Sequence, residues 1–156
     1  AGSEPPFNFI SPEAPIYSHA RYLPPSRIDG ATITNSLMAD GCIVEQGAVI
    51  ENSVIGLRCQ IGAKTVIRNS ILMGADFYET PTEIAHDEAE GRPPLGIGAG
   101  ATIDGAIIDK NCHIGSQVRL VNDRDVVKED VSKHVVIRDK IIVVEKDGVI
   151  PDGWKG

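Results

Sequence analysis

The sequence predicts an all-β fold, a left-handed parallel β-helix built from hexapeptide repeats, with an inserted loop that contains a short helix. Three observations predict it. Aliphatic residues recur six apart at Ile43, Val49, Ile55, Ile61 and Ile67. Written in sixes from Leu37 to Leu72, the blocks LMADGC, IVEQGA, VIENSV, IGLRCQ, IGAKTV and IRNSIL each open on an aliphatic residue, and five of the six carry a small residue or Thr at the fifth place. A second run resumes at Ile97 as IGAGAT, IDGAI, IDKNCH, IGSQVR and LVNDRD, one residue short in its second block, with Val126 opening the next.

A helix repeats near 3.6 residues and a strand at 2, so a period of six belongs to neither alone. It is the signature of a coil in which each block supplies one short strand and one bend. The aliphatic residue faces a narrow interior, the small residue packs beside it at the corner, and Gly or Asn tolerates the bend. Stacked coils satisfy each other's backbone groups. Three hexapeptides make one triangular coil, so residues 37–72 are expected to form two. Ordinary hairpins are the alternative, but the beat runs straight through Asp40-Gly41 and Asp104-Gly105, where hairpins would turn.

The beat stops over residues 73–96. Thr80-Pro81-Thr82-Glu83 matches a capping box with Pro at the first helical position, and Gly91 with Pro93-Pro94 reads as a stop. A short acidic helix is therefore expected on an inserted arm, either a surface that binds a neighbour or a solvated decoration. Residues 1–27 carry Pro5, Pro6, Pro12, Pro15, Pro24 and Pro25 and read as an extended linker. The β-helix is then expected over residues 28–153 and a short tail over 154–156.

The chain has 156 residues and 42% hydrophobic content, enough for one domain with a core. Aromatic residues are only 4%, so aliphatic side chains must fill it. A net charge of −7 argues against a general affinity for nucleic acid or anionic membrane. No apolar run is long enough to span a bilayer, and the start lacks the pattern of a signal peptide. Cys42, Cys59 and Cys112 are widely spaced, without a CxxC, and read as reduced thiols in the core, which suits a reducing cytoplasm.

Candidate chemistry is sparse. The histidines are His19, His86, His113 and His134, none at short metal-ligand spacing, so no metal site is expected. His113 in NCHIG is the one histidine inside the repeat; it reads as a surface residue, or as a general base if the fold serves acyl transfer from acyl-CoA. No nucleophile elbow, P-loop or GxGxxG is present. Arg119, Arg124, Lys128, Lys133, Arg138, Lys140 and Lys146 concentrate positive charge in residues 119–146 and suit a phosphorylated ligand, although carboxylates interleave with them.

The stretches APIYSHARYLPPSRI, ADGCIVEQGAVIENSVIGLRCQIG, MGADFYET, RPPLGIGAGATI, AIIDKNCHIG and VIRDKIIVVEKDGVI together resemble the C-terminal domain of ADP-glucose pyrophosphorylase (glucose-1-phosphate adenylyltransferase), from about Pro5 to Gly153. The resemblance implies a regulatory and oligomerisation domain. In that family a separate nucleotidyltransferase domain, absent from this chain, uses ATP, glucose 1-phosphate and Mg²⁺ for glycogen or starch synthesis. This chain alone is then expected to hold no cofactor and no catalytic residue. Its implied partners are the catalytic domain of the same polypeptide, copies of itself in a tetramer, and a phosphorylated metabolite effector, in the cytoplasm or a plastid stroma. The family's activator Lys falls on Lys146 of IIVVEK, and Arg138 matches a family Arg. A second activator Lys falls on Asp123, a departure for which the adjacent Arg124 is the substitute. DGWKG also departs from the family's end. A hexapeptide acyltransferase and a purely structural assembly module remain the alternatives.

Overall fold

The computed structural model describes residues 11–15 and 19–156, so part of the linker expected over residues 1–27 lies outside the described residues. From Arg27 onward the chain winds as a three-sided parallel β-helix. One side stacks Arg27–Ile28, Ile43–Val44, Gln60–Ile61, Gly96–Ile97, His113–Ile114 and Val149–Ile150. The second stacks Thr32–Thr34, Val49–Glu51, Val66–Arg68, Thr102–Asp104 and Arg119–Val121. The third stacks Leu37–Met38, Val54–Leu57, Ile71–Gly74, Ala106–Ile108 and Ile141–Val144, and continues into two antiparallel strands, Val135–Arg138 and Lys128–Asp130. Among the described residues no helix is long and apolar enough to cross a membrane.

The coil is shorter than three hexapeptides. Thr32 pairs with Val49, Leu37 with Val54 and Ile43 with Gln60, each 17 residues on. The inward, fully buried side chains are Val44, Ile50, Ile55, Ile61, Ile67 and Leu72, whereas Ile43 and Val49 are only half-buried. The spacing therefore runs six, five, six, six, five. The one-residue shortfall of IDGAI is the rule of the coil: IENSV and IRNSI turn the same corner in the same five residues. The reason is a tight bend in which Asn52, Asn69 and Gly105 all take left-handed backbone angles, φ 48, 48 and 64.

That corner is held by two ladders. The Asn35 amide donates to Asn52 Oδ1 at 3.1 Å, Asn52 to Asn69 Oδ1 at 2.9 Å, and Asn69 to Asp104 Oδ1 at 2.8 Å. Beside it the Ser36, Ser53 and Ser70 hydroxyls accept the backbone N–H of Ser53, Ser70 and Ala106, each at 3.1 Å. Asn52→Ala removes both amide bonds and leaves an L side chain without local hydrogen bonding in a left-handed bend; Asn52→Gly removes the bonds alone. We expect the alanine variant to be the less stable of the two by about 1 kcal/mol. Equal urea midpoints for the two would reject this account of the corner.

The first interruption leaves the third side at Gly74 and rejoins at Gly96. The capping box is formed: Thr80 Oγ1 accepts from Glu83 N at 3.3 Å and Glu83 Oε2 accepts from Thr80 N at 2.7 Å, opening a helix over Pro81–Ala89. Gly91, at φ 72, follows its end. The second interruption was not expected. Val126 does not open another coil; after Val121 the chain makes the antiparallel pair and returns through Ile141–Val144. Its turn at Asp139-Lys140 puts both residues at positive φ, 49 and 71, as a two-residue hairpin requires. Val135, Ile137, Ile142 and Val144 bury their side chains against the end of the helix. Residues 154–156 fold back as well. Trp154 packs on the core, and its carbonyl accepts Arg119 N at 2.8 Å.

The outer face of the third side carries an aliphatic row. Leu37, Val54, Ile71 and Ile107 stack in register, and the first three are exposed. Met73 adds to it.

Candidate functional site

Two clusters of chemically capable side chains stand out, one at the root of the arm and one on the C-terminal excursion. The first is built around His113. Its strand position faces outward, yet the side chain is only 3% exposed, because the arm folds over it. The expectation of a surface residue fails for that reason. His113 Nδ1 lies 2.8 Å from the Pro93 carbonyl, and Nε2 lies 2.7 Å from Arg92 Nη2. Nδ1 is therefore the protonated nitrogen and Nε2 the acceptor of the guanidinium bond. Glu79 Oε1 and Asp87 Oδ2 approach Nδ1 at 3.7 and 3.9 Å, and Asp87 Oδ2 also stands 3.5 Å from Arg92 Nε. Glu79 Oε2 accepts Leu95 N at 2.7 Å. Four arm residues thus close on a single β-helix side chain.

This arrangement is a latch. Both imidazole nitrogens are engaged and buried, so His113 offers no free nitrogen to an acyl acceptor, which removes the sequence feature that favoured acyl transfer. Glu79, Asp87 and His113 place ligand-type atoms within 4.8 Å of one another. The Arg92 guanidinium already supplies the cation there, and Nδ1 is committed to Pro93, so the donor set does not fit a metal ion.

Sequence reasoning named Arg124, Arg138 and Lys146 as anion ligands. The first two contact successive residues of the strand Lys128–Asp130. Arg124 Nη2 contacts Glu129 Oε2 at 3.2 Å; Arg138 Nη2 contacts Asp130 Oδ1 at 2.5 Å, and its Nη1 donates to the Glu129 carbonyl at 3.1 Å. Lys146 stands elsewhere. Arg138 pairs with Ile141 at the start of the strand Ile141–Val144, and Lys146 follows its end. At about 3.3 Å per residue the two are roughly 15 Å apart along the chain direction, too far for one phosphate. Lys146 instead faces Asp76 at 3.8 Å, beside Lys110 at 2.6 Å. The hydrogen bond from Lys110 holds the exposed Asp76 carboxyl below its usual range, and Lys146 adds to the attraction. Asp123, where the family pattern has Lys, pairs with Arg119 at 2.7 Å.

A family model described as the GLGC left-handed parallel β-helix domain matches residues 21–154. The chain belongs to that family. The handedness expected from the hexapeptide form is thereby the family's own, and the fold is that of a domain related to the C-terminal part of ADP-glucose pyrophosphorylase. In this GLGC domain the latch residues Glu79, Asp87 and Arg92 escaped sequence reasoning because they lie in the stretch that breaks the repeat. The only available signal was a Glu and an Arg flanking a capped helix. A groove of about 720 Å³ opens beside the latch, under residues 91–95. Glu45, Glu88 and Asp152 outnumber Arg92 in its lining, so it is the wrong sign for a phosphate.

Proposed function

We propose that this GLGC domain is the regulatory and assembly domain of a glucose-1-phosphate adenylyltransferase, and that Lys146, Arg138 and Arg124 take part in binding an anionic metabolite effector. The observation that carries the reading is the family match together with the excursion, which departs from the β-helix repeat and carries two guanidinium groups paired with carboxylates of one strand. Each is held by an exposed carboxylate that an incoming phosphate can replace. The separation of Lys146 from Arg138 favours an effector with two anionic groups, or two contact points completed by another domain. In this proposal a catalytic domain of the same polypeptide binds ATP, Mg²⁺ and glucose 1-phosphate. The enzyme works as a homotetramer in the cytoplasm or a plastid and serves glycogen or starch synthesis. The row Leu37, Val54, Ile71 and Met73 is the surface we assign to packing against another domain or subunit, because exposed aliphatic rows of this extent mark such contacts.

The test uses the full-length enzyme. Lys146→Ala and Arg138→Ala are each expected to raise the effector concentration for half-maximal activation about tenfold or more. That is the size of losing a charge-assisted bond worth about 1.5 kcal/mol. The rate without effector stays unchanged. Wild-type effector response in both variants rejects the site.

A further inference from the structure

The groove beside the latch is built on a repeated position of the coil. Glu45, Gly62, Gly98, Gly115 and Pro151 follow the stacked strands of the first side and lie in register, one per coil. Three glycines leave the middle of that column without side chains. Ile43, Pro94 and Pro151 add apolar surface, and the space of about 720 Å³ falls in the range of small-molecule sites. Carboxylates stand toward both ends. Glu45 Oε2 accepts Ala63 N at 2.9 Å, and Asp152 Oδ1 accepts Ser116 N at 2.7 Å. Each bond fixes one carboxylate oxygen and leaves the other to a ligand. Ala63, Ala99 and Ser116 sit on successive coils, so the two carboxylates are held two coils apart, about 10 Å. Glu88 lines the groove from the arm. Arg92 is the one cation among the described lining residues, and His113 and Asp87 already engage it.

We propose that this groove binds a linear aliphatic polyamine, with its ammonium groups on Glu45, Asp152 and Glu88 and its methylene chain along the glycine floor. Charge complementarity selects a cation. The apolar floor selects one carried on methylenes. The separation of the anchored carboxylates selects the length, about eight chain atoms between the end nitrogens at bond lengths near 1.5 Å. A basic peptide fits less well, because the floor offers no strand edge to pair with. The N–H groups of Gly62, Gly98 and Gly115 already donate to the carbonyls of Ile97, Ile114 and Ile150 at 2.8, 2.7 and 2.8 Å.

Calorimetric titration of the native chain with spermidine at low salt tests this. One molecule is expected to bind, half-saturating below about 1 mM and more weakly as salt rises. Diaminooctane binds comparably. Putrescine, too short to reach both end carboxylates, binds about threefold to fivefold more weakly, and octanediol does not bind. Glu45→Gln, Asp152→Asn and Glu88→Gln each weaken spermidine binding about threefold to fivefold. The first two keep an oxygen that accepts the Ala63 or Ser116 N–H, so the coil stays intact. Asp139→Asn removes an exposed charge outside the groove and leaves binding unchanged. The proposal is overturned by any of four results: no saturable binding, wild-type affinity in the groove variants, an equal loss in Asp139→Asn, or tighter binding of trilysine than of spermidine.

Discussion

Gly98→Ala is expected to cost more than about 3 kcal/mol, beyond the usual range for overpacking, and Gly98→Val to prevent folding. A Cβ on Gly98 stands 2.5 Å from the carbonyl carbon of Gly115 and 2.5 Å from Ser116 N. Gly62 and Gly115 meet the coil above in the same way, at 2.6 Å from Ala99 N and 2.5 Å from Asp152 N. The obstacle in each case is backbone of the next coil, so no rotamer change relieves it. Gly91→Ala is the control. Its backbone is left-handed at φ 72, but nothing lies within 4 Å of an added methyl, so its cost is only about 1–2 kcal/mol. Urea unfolding followed by circular dichroism compares them. A Gly98→Ala protein as stable as Gly91→Ala would mean that the coils have slack the geometry denies.

His113→Ala is expected to free the arm while leaving the β-helix folded. The substitution removes the acceptor for Arg92 and the donor to Pro93, and it strands Glu79, whose side chain is 7% exposed, beside an emptied site. Breaking a buried charged network typically costs about 3–5 kcal/mol. Here the arm can release that cost by detaching, since none of its helical residues is buried in the core. A Glu-specific protease should then cut at Glu83, Glu88 or Glu90 in the variant and not in the wild type, with the sheet spectrum unchanged. Resistance equal to wild type would show that Tyr78, whose hydroxyl bonds the Gly41 carbonyl at 2.9 Å, holds the arm without His113.

Much of this was legible in the residues. The aliphatic beat and the small corner residues predict a three-sided coil, and Thr80-Pro81-Thr82-Glu83 predicts the helix start, because both signals are local. What failed was the phase. Ile43 and Val49 keep a six-beat with Ile55, but the inward pair is Val44 and Ile50, since two adjacent aliphatic residues at each strand leave the facing one undetermined. The excursion was missed because its turn is Asp139-Lys140, without the glycine that flags a two-residue hairpin, and because VVIRDKIIVV is aliphatic on both arms. The burial of His113 depends on residues 20 to 34 positions earlier in the chain, Pro93 and Glu79 among them, and no periodicity connects them. Arg124, Arg138 and Lys146 were named from charge and resemblance; the placing of Arg138 and Lys146 at opposite ends of one strand is a property of the hairpin and has no trace in composition.

The corner ladders bear on how the protein ages. Asn52 and Asn69 are each followed by serine, a pairing in which the next backbone nitrogen attacks the side-chain amide and converts it to a carboxylate through a cyclic imide. Here the Ser53 and Ser70 nitrogens donate to the serine of the previous coil, and both amides are tied end to end toward Asp104. The attacking atom and its target are held in separate hydrogen bonds, so the folded coil shields two of its own chemically fragile sites. Loss of ammonia at Asn52 or Asn69 then reports how long a molecule has spent unwound.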